Sequence, residues 1–362
     1  MLRNECLGPT LTTVEFVIRV REIIDHLDPT EPDAIVLAAD CAVDCAAMQQ
    51  PLLALEIVER FALTDDSVGR AGIPFGVWAG QIALTLGDRD GFDRRLDAAL
   101  EHTHFRRASW LYEGHLHQAV AMRELFSGNW VAAEEAVAVV ERVGGHDLNF
   151  VLGCSGQRST IASETGRVQE RYEQAALSAS TFPDFPLLRA ILVFAAAEAG
   201  HHDEAAALLD ELAPNDFAAV GRGWLTTAVL TAVASAIVSV EAHPHAAVLR
   251  RLLTEYTGLM ARVASGTDVL CAYDRLLAGL AAGDGDHAEA DRLFAAAVAQ
   301  EEALRAPPLV TRTKHWWGRA LVRRGDPTRA RPLLTDARAS AAHLGMLAVV
   351  TQIDDLLATI AS

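Results

Sequence analysis

Apolar residues along this chain fall into helical stripes, and most stripes are separated by a turn that contains glycine. In the clearest copies an alanine follows the glycine by five positions, and apolar residues follow that alanine at four and seven positions. Steps of four and three keep residues on one helix face. Glycine suits the tight backbone at the end of the preceding helix. The four copies are Gly128 with Ala133, Gly200 with Ala205, Gly285 with Ala290, and Gly325 with Ala330.

Weaker copies at Gly87 and Gly166 extend the pattern, so that a turn recurs about every 40 residues, as in helical-hairpin repeats. The sequence therefore predicts an all-α solenoid of tetratricopeptide-like hairpins that form a superhelix. We expect a capping helix in residues 1–30, about eight repeats in residues 31–344, and a second capping helix in residues 345–362. Pro51 should open one second helix, and a degenerate turn is expected near Pro244. No β-hairpin pattern is evident.

The composition of the chain reduces the number of function classes that it could serve. The formal net charge is −17, which opposes direct binding of nucleic acid. The uncharged segment 224–240 is barely long enough for a membrane span, and its ridge of Thr and Ser favours a buried repeat helix instead. Five cysteines without a C-x-x-C spacing, and a first segment without a secretory pattern, predict a cytoplasmic protein.

Lys314 is the single lysine of the chain. It follows no glycine-rich loop, so the sequence holds no P-loop for nucleotide phosphates. Kinase-type and Schiff-base sites are disfavoured for the same reason. We therefore expect no enzyme activity and no cofactor.

Residues 275–346 contain AEADRLFAAAVAQEEALRAPP, ALVRRGDP and ARASAAHLGM in that order. This region resembles the C-terminal tetratricopeptide-like region of bacterial, mostly actinobacterial, STAND-type signalling ATPases. Those proteins carry a nucleotide-cyclase domain or a LuxR-type DNA-binding domain. The resemblance implies the sensor or interaction part alone, either as a free-standing relative or as a piece of a longer gene product.

Two sets of side chains are candidates for a site. Trp110, Tyr112, Trp316 and Trp317 stand on predicted first helices, where aromatics either line the concave groove for a ligand or fill the core. A histidine cluster offers an alternative, an enzyme or metal site. Because residues two apart on a helix point in different directions, we expect no metal there. The four histidines are His102, His104, His115 and His117.

The sequence thus favours a non-catalytic scaffold, the sensor or protein-interaction module of a transcriptional or cyclase-linked regulator. We expect its concave groove to bind a peptide, a protein or a small inducer, and we expect no nucleic-acid or membrane partner. A helical-repeat enzyme that uses the histidine cluster, and an inactive remnant of a larger ATPase regulator, remain the alternatives.

Overall fold

The computed structural model describes residues 13–64, 75–101, 109–217, 226–240, 244–263 and 268–361. Nearly all of these residues are helical, and the predicted all-α solenoid of tetratricopeptide-like hairpins is confirmed. The helices in chain order are α1 (Thr13–His26), α2 (Pro32–Ala47), α3 (Pro51–Arg60), α4 (Phe75–Thr85), α5 (Arg89–Glu101), α6 (Trp110–Ser127), α7 (Trp130–Gly144), α8 (Leu148–Glu164), α9 (Val168–Thr181), α10 (Pro186–Glu198), α11 (His202–Leu212), α12 (Thr226–Val240), α13 (Ala246–Leu253), α14 (Tyr273–Gly283), α15 (His287–Ala303), α16 (Pro307–Arg323), α17 (Pro327–Leu344) and α18 (Leu347–Thr359).

From α2 to α17, consecutive helices pack as antiparallel pairs, beginning with α2–α3 and ending with α16–α17. Each glycine of the predicted turns has a positive φ between 74° and 87°, a conformation that other residues adopt only with strain. In the four clearest copies, those with Ala133, Ala205, Ala290 and Ala330, the alanine five positions later is at most 2% exposed. The turn glycines are Gly87, Gly128, Gly166, Gly200, Gly285 and Gly325.

The segment predicted to be a buried repeat helix rather than a membrane span forms α12. All residues from 227 to 238 are buried among neighbouring helices. Ser235 Oγ donates to the Thr231 carbonyl at 2.9 Å, so that a buried hydroxyl is satisfied within the helix. Within the described ranges, no helix combines the length and the apolar character that a membrane crossing requires. The turn predicted near Pro244 falls mostly on residues 241–243, outside the described residues.

One β-hairpin between α13 and α14 was not predicted. Strands β1 (Met260–Val263) and β2 (Asp268–Ala272) pair antiparallel, with Met260 opposite Ala272 and an irregular register after Ala261. β1 packs against α12 and α4. These strands are too short for an alternating pattern to identify them in the sequence.

The superhelix closes on itself after about five hairpins. Hydrogen bonds join positions 214 to 216 residues apart: Arg89 to the Leu304 carbonyl, Trp130 to the Leu344 carbonyl, and Arg262 to the Ala46 carbonyl. Each acceptor lies at the C-terminal end of a helix, where carbonyls lack a partner within the helix. We call this line of contacts the inter-turn seam. It places α16 and α17 against the hairpin α6–α7.

Candidate functional site

Helix α16 turns one face toward the middle of the superhelix. Arg312, His315 and Arg319 lie on that face, because spacings of three and four bring residues to one side of a helix. We call these three residues the inner face of α16. Arg312 Nε lies 2.9 Å from Glu164 Oε1 at the end of α8, and Arg312 Nη1 lies 3.3 Å from Glu198 Oε1 at the end of α10. Arg312 therefore contacts two residues that lie 148 and 114 positions before it in the chain.

A second arginine completes this group of charges. Arg171 of α9 forms an ion pair with Glu198, and its guanidinium lies 4.4 Å from the centre of the Phe194 ring. Ser163 Oγ donates to Glu198 at 2.8 Å. We call Glu164, Arg171, Glu198 and Arg312 the central cluster. Its two guanidinium groups balance its two carboxylates, as a set of charges largely removed from water requires.

Burial opposes the charge of Arg312, but Glu164 and Glu198 outweigh burial and raise the pKa of its guanidinium. The side chains of the three residues are only 8–11% exposed. The attraction between the Arg312 guanidinium and the two carboxylates is strong because little water lies between them. The contacts of Arg312 with Glu164 and Glu198 hold α8, α10 and α16 together.

Arg319 lies two turns further along α16 than Arg312 and has different partners. Its Nη2 donates to the Val238 carbonyl at 2.8 Å, near the C-terminal end of α12, where the helix dipole favours a cation. Its guanidinium also lies 5.7 Å from the centre of the Trp316 ring. Burial, with a smaller effect of Arg312, lowers the pKa of Arg319 to about 10. Arg319 is still charged at neutral pH.

His315 lies between the two arginines and is 3% exposed. Its Nδ1 has no hydrogen-bond partner in the part of the chain that the structure describes. Burial, followed by the charges of Arg319 and Arg312, lowers the pKa of His315 well below 6.5. The imidazole is therefore neutral at physiological pH.

A separate buried group of charges lies around Glu301 on α15, which is fully buried. Glu301 accepts hydrogen bonds from Thr313 Oγ1 at 2.6 Å and from the Ala272 amide at 3.2 Å, and Arg275 Nε lies 4.0 Å away. Burial raises the pKa of Glu301, and Arg275 opposes that shift. We call Arg275, Glu301 and Thr313 the Glu301 cluster. It ties β2, α14, α15 and α16 together.

The four aromatic residues predicted for a ligand groove have unlike surroundings. Tyr112 is 1% exposed, and its hydroxyl donates to the Ala99 carbonyl at 3.4 Å. Trp316 is buried beside Arg275 and Arg319. Trp317 donates from Nε1 to Asp291 at 2.8 Å.

Trp110, by contrast, is 43% exposed beside His146 and Phe150. It is therefore the member of the four with the most ring surface available to a ligand. The binding role of all four residues stays a prediction.

The histidine cluster is only partly described. His115 packs against the rings of Trp78 and Phe150, with ring centres 5.5 Å and 4.8 Å away. His117 Nε2 lies 3.1 Å from Glu113 Oε1, so these two histidines have different neighbours. His102 and His104 lie outside the described residues. Across the described ranges, no three His, Cys, Asp or Glu side chains are arranged to hold a metal ion.

Sequence reasoning missed the central cluster and the inner face of α16. Their members come from four helices, and the carboxylates lie more than 100 residues from Arg312. A weak signal was present: Arg312, His315 and Arg319 place polar groups on one face of a helix that also carries core residues such as Leu321. Charged residues with helical spacing usually indicate a solvated face, so this spacing alone does not reveal a buried cluster.

Comparison with known proteins gives little further information. No protein-family model matches the chain, and no curated protein matches it. Among solved structures it is similar to that described as "Crystal Structure of Rap Protein Complexed with Competence and Sporulation Factor", at 10% sequence identity. The alignment covers 91% of this chain and 98% of that chain, with a TM-score of 0.45. So low a similarity is no basis for a functional argument.

Proposed function

We propose that this chain is a non-catalytic helical-repeat scaffold, the sensor or protein-interaction module of a bacterial transcriptional or cyclase-linked signalling regulator. Its ligand would be a peptide, a protein or a small inducer that binds on the concave side. The regulator setting rests on the resemblance of residues 275–346 to the repeat region of signalling ATPases.

One observation carries the binding role: charged side chains of two hairpins, α8–α9 and α10–α11, converge on Arg312 of α16 in the middle of the superhelix. Buried ion pairs seldom add stability beyond that of apolar residues of the same size. A solenoid that only had to fold could fill this space with alanine and leucine, as its hairpin contacts do. Polar groups gathered on a concave surface instead supply the orientation and specificity that a ligand needs.

A ligand that competes with Glu164 or Glu198 for Arg312 would also change how α8 and α10 are held to α16. The ion pairs join elements that are far apart in the chain, so their exchange could transmit binding to both ends of the solenoid. Such coupling requires that the ligand bind the two arrangements with different affinity.

The test is affinity capture from the native host with the full chain as bait, followed by mass spectrometry. Trp110→Ala removes an exposed aromatic ring of a first helix. Leu177→Ala is the matched control, since it removes an apolar side chain that is 68% exposed on second helix α9. We expect wild type and Leu177→Ala to recover one partner, and Trp110→Ala to recover about tenfold less of it.

Equal recovery by all three baits would remove Trp110 from the binding surface. No specific partner, together with turnover of a small substrate by the purified chain, would overturn the scaffold and support the enzyme alternative. The pull-down therefore separates the two classes of function.

A further inference from the structure

The hairpin α8–α9 departs from the repeat pattern where its two helices face each other. In the other five hairpins with a turn glycine, the residue seven positions before that glycine is a glycine, an alanine or a valine, and the residue five positions after it is an alanine or a phenylalanine. Around Gly166 these two positions hold Ser159 and Arg171. Nine positions after Gly166 stands Ala175, where the other five hairpins have a buried leucine, valine or phenylalanine. Polar and small residues therefore replace apolar ones along this contact.

The apolar core is interrupted between α8 and α9. Buried apolar residues of α8, such as Phe150 and Ile161, cluster with residues of α6 and α7. The buried apolar residues of α9 are Ala175 and Ala179, and they cluster with Leu192 of α10. In the part of the chain that the structure describes, none of the clusters of packed apolar side chains holds residues of both α8 and α9. By its apolar contacts, α8 therefore belongs to the hairpins before it and α9 to those after it.

Polar side chains bridge this interruption, which we call the α8–α9 joint. Arg171 of α9 donates to Ser159 Oγ of α8 and forms an ion pair with Glu198 at the end of α10. Ser163 Oγ of α8 donates to the same carboxylate at 2.8 Å. Arg312 of α16 contacts carboxylates on both sides of the joint, at the ends of α8 and α10. Glu198 thus accepts hydrogen bonds from both sides, and its side chain is only 8% exposed.

Polar bonds hold the joint less firmly than an apolar core would. When the joint opens, water can replace each of these bonds, and a buried ion pair adds little net stability. Regions with few buried apolar contacts open while the rest of a protein stays folded. We propose that the superhelix opens at the α8–α9 joint, and that Glu198 holds the joint closed by accepting hydrogen bonds from Ser163 and Arg171. This motion is a property of the free chain and goes beyond the binding role proposed above.

The β-hairpin keeps the two sides of the joint connected elsewhere. Met260 and Val269 belong to the apolar cluster that contains α1–α6, whereas Ala261 and Cys271 belong to the cluster of α10–α15. Opening should therefore widen the gap between α8 and α9 without separating the chain into two halves. A wider gap moves the end of α8 away from the end of α10, and this gives access to the concave side beside Arg312.

Pulsed electron paramagnetic resonance between two spin labels measures this motion in the purified full chain. Cysteines for labelling replace three exposed alanines on second helices, Ala138 of α7, Ala207 of α11 and Ala295 of α15. The pair 138–207 spans the joint, whereas the pair 207–295 spans the same number of hairpins without it. Cys6→Ser removes the cysteine outside the described residues, and the other native cysteines are buried and should not react. We expect the distribution of distances for the pair 138–207 to be at least about twice as wide as that for the pair 207–295.

Glu198→Gln should enlarge the population at longer 138–207 distances about tenfold, because an ion pair and a charge-assisted hydrogen bond across the joint are weakened. Glu204→Gln is the matched control: Glu204 accepts from the Tyr172 hydroxyl at 2.8 Å, but it is exposed and joins α9 to α11 on one side of the joint. It should leave the distribution as in wild type. If Glu198→Gln does not fold, Ser163→Ala decides, with an expected enlargement of about threefold.

Equally narrow distributions for the two label pairs, in wild type and in the variant that folds, would overturn the α8–α9 joint. A wide 138–207 distribution that the variant leaves unchanged would overturn the role of Glu198. Because these measurements use the free chain, they can fail while affinity capture still recovers a partner, and they can succeed while capture recovers nothing.

Discussion

The central cluster and the Glu301 cluster are both buried groups of charges, yet they connect different parts of the molecule. Glu301 takes its hydrogen bonds from residues 12 and 29 positions away, on adjoining elements, and it is fully buried. Arg312 of the central cluster reaches residues 114 and 148 positions away, and its side chain is 11% exposed. The Glu301 cluster fixes neighbouring elements to one another, whereas the central cluster joins hairpins across the superhelix.

This difference shows where a repeat protein can place contacts that can change without unfolding its hairpins. A solenoid depends on the packing of each hairpin against the next. The Glu301 cluster belongs to that packing, because it lies where β2, α14, α15 and α16 meet. The central cluster belongs to that packing only through Arg171 and Glu198 of neighbouring hairpins, whereas Arg312 reaches the cluster from α16. We therefore expect disruption of the first to unfold the region, and disruption of the second mainly to loosen contacts across the centre.

The largest effect is expected for Glu301→Ala, which leaves Arg275 without its carboxylate and Thr313 without its acceptor. Breaking a buried ion pair from one side typically costs about 3–5 kcal/mol. Urea denaturation followed by circular dichroism measures the change in unfolding free energy. Glu302→Ala, at the exposed neighbouring position, should change stability by at most about 0.5 kcal/mol. Equal effects at both positions would contradict the structural role of Glu301.

Arg312→Gln should cost less, about 2 kcal/mol, because Arg171 still pairs with Glu198. Hydrogen–deuterium exchange distinguishes the two clusters: in Arg312→Gln the amides of α8, α10 and α16 should exchange faster than in wild type, while the rest of the fold changes little.

Lys314→Gln is the control on the same helix, since Lys314 pairs with a largely exposed Asp336. Its expected cost is about 0.5 kcal/mol or less. If Arg312→Gln accelerates exchange uniformly over the whole chain, the central cluster is part of the general core, and its contrast with the Glu301 cluster disappears.

Gly318→Ala tests whether both clusters depend on the position of α16. A Cβ at residue 318 would lie 2.5 Å from Leu334 Cδ2, so α16 must shift from α17 or Leu334 must move. Such overpacking costs about 1–3 kcal/mol. Gly283→Ala, where an added Cβ meets nothing within 4 Å, should change stability by less than about 1 kcal/mol. Thermal denaturation of the two variants in parallel makes the comparison.

Per pH unit, the effect of pH is expected to be the smallest, and it should have opposite signs for His315 and Glu301. His315 has a folded pKa far below 6.5, so below pH 6.5 the unfolded chain binds a proton that the folded chain does not. Stability should fall there by up to about 1.4 kcal/mol per pH unit from this residue. Glu301 has a folded pKa above 4.5, so the folded chain retains the proton longer, and stability from this residue falls as pH rises above 4.5.

Denaturation at several pH values, with His315→Gln and Glu301→Gln, separates these contributions. The first variant should flatten the acid side of the profile and the second the side above pH 4.5. A His315→Gln profile that parallels the wild-type profile would mean that the folded His315 binds its proton as readily as the unfolded one.

The sequence contained enough information for the hairpins, because their signals are local. Gly128 and Ala133, for example, are five residues apart, and both their turn geometry and their burial follow from backbone conformation and helix periodicity. The same holds for α12, whose hydroxyl ridge argued against a membrane span. None of these inferences needed knowledge of what lies beside the hairpin in space.

The centre of the molecule could not be predicted in the same way. Whether Arg312 faces water or Glu164 depends on how far the superhelix turns per hairpin, and small changes in packing angle accumulate over several repeats. The seam contact of Arg262 with the Ala46 carbonyl, 216 residues away, has the same origin. The aromatics illustrate the limit: their helical spacing was visible, but burial of Tyr112 and exposure of Trp110 were not.

The inter-turn seam also bears on how such a protein can change over evolution. Open solenoids gain and lose units readily, since a unit touches only the units next to it. Here Arg89, Trp130 and Arg262 each find their acceptor 214 to 216 residues away. Duplication of one hairpin between α7 and α13 would present each donor with the wrong partner. Descendants of this chain should therefore vary by substitution and by loop length, while the number of hairpins is inherited unchanged.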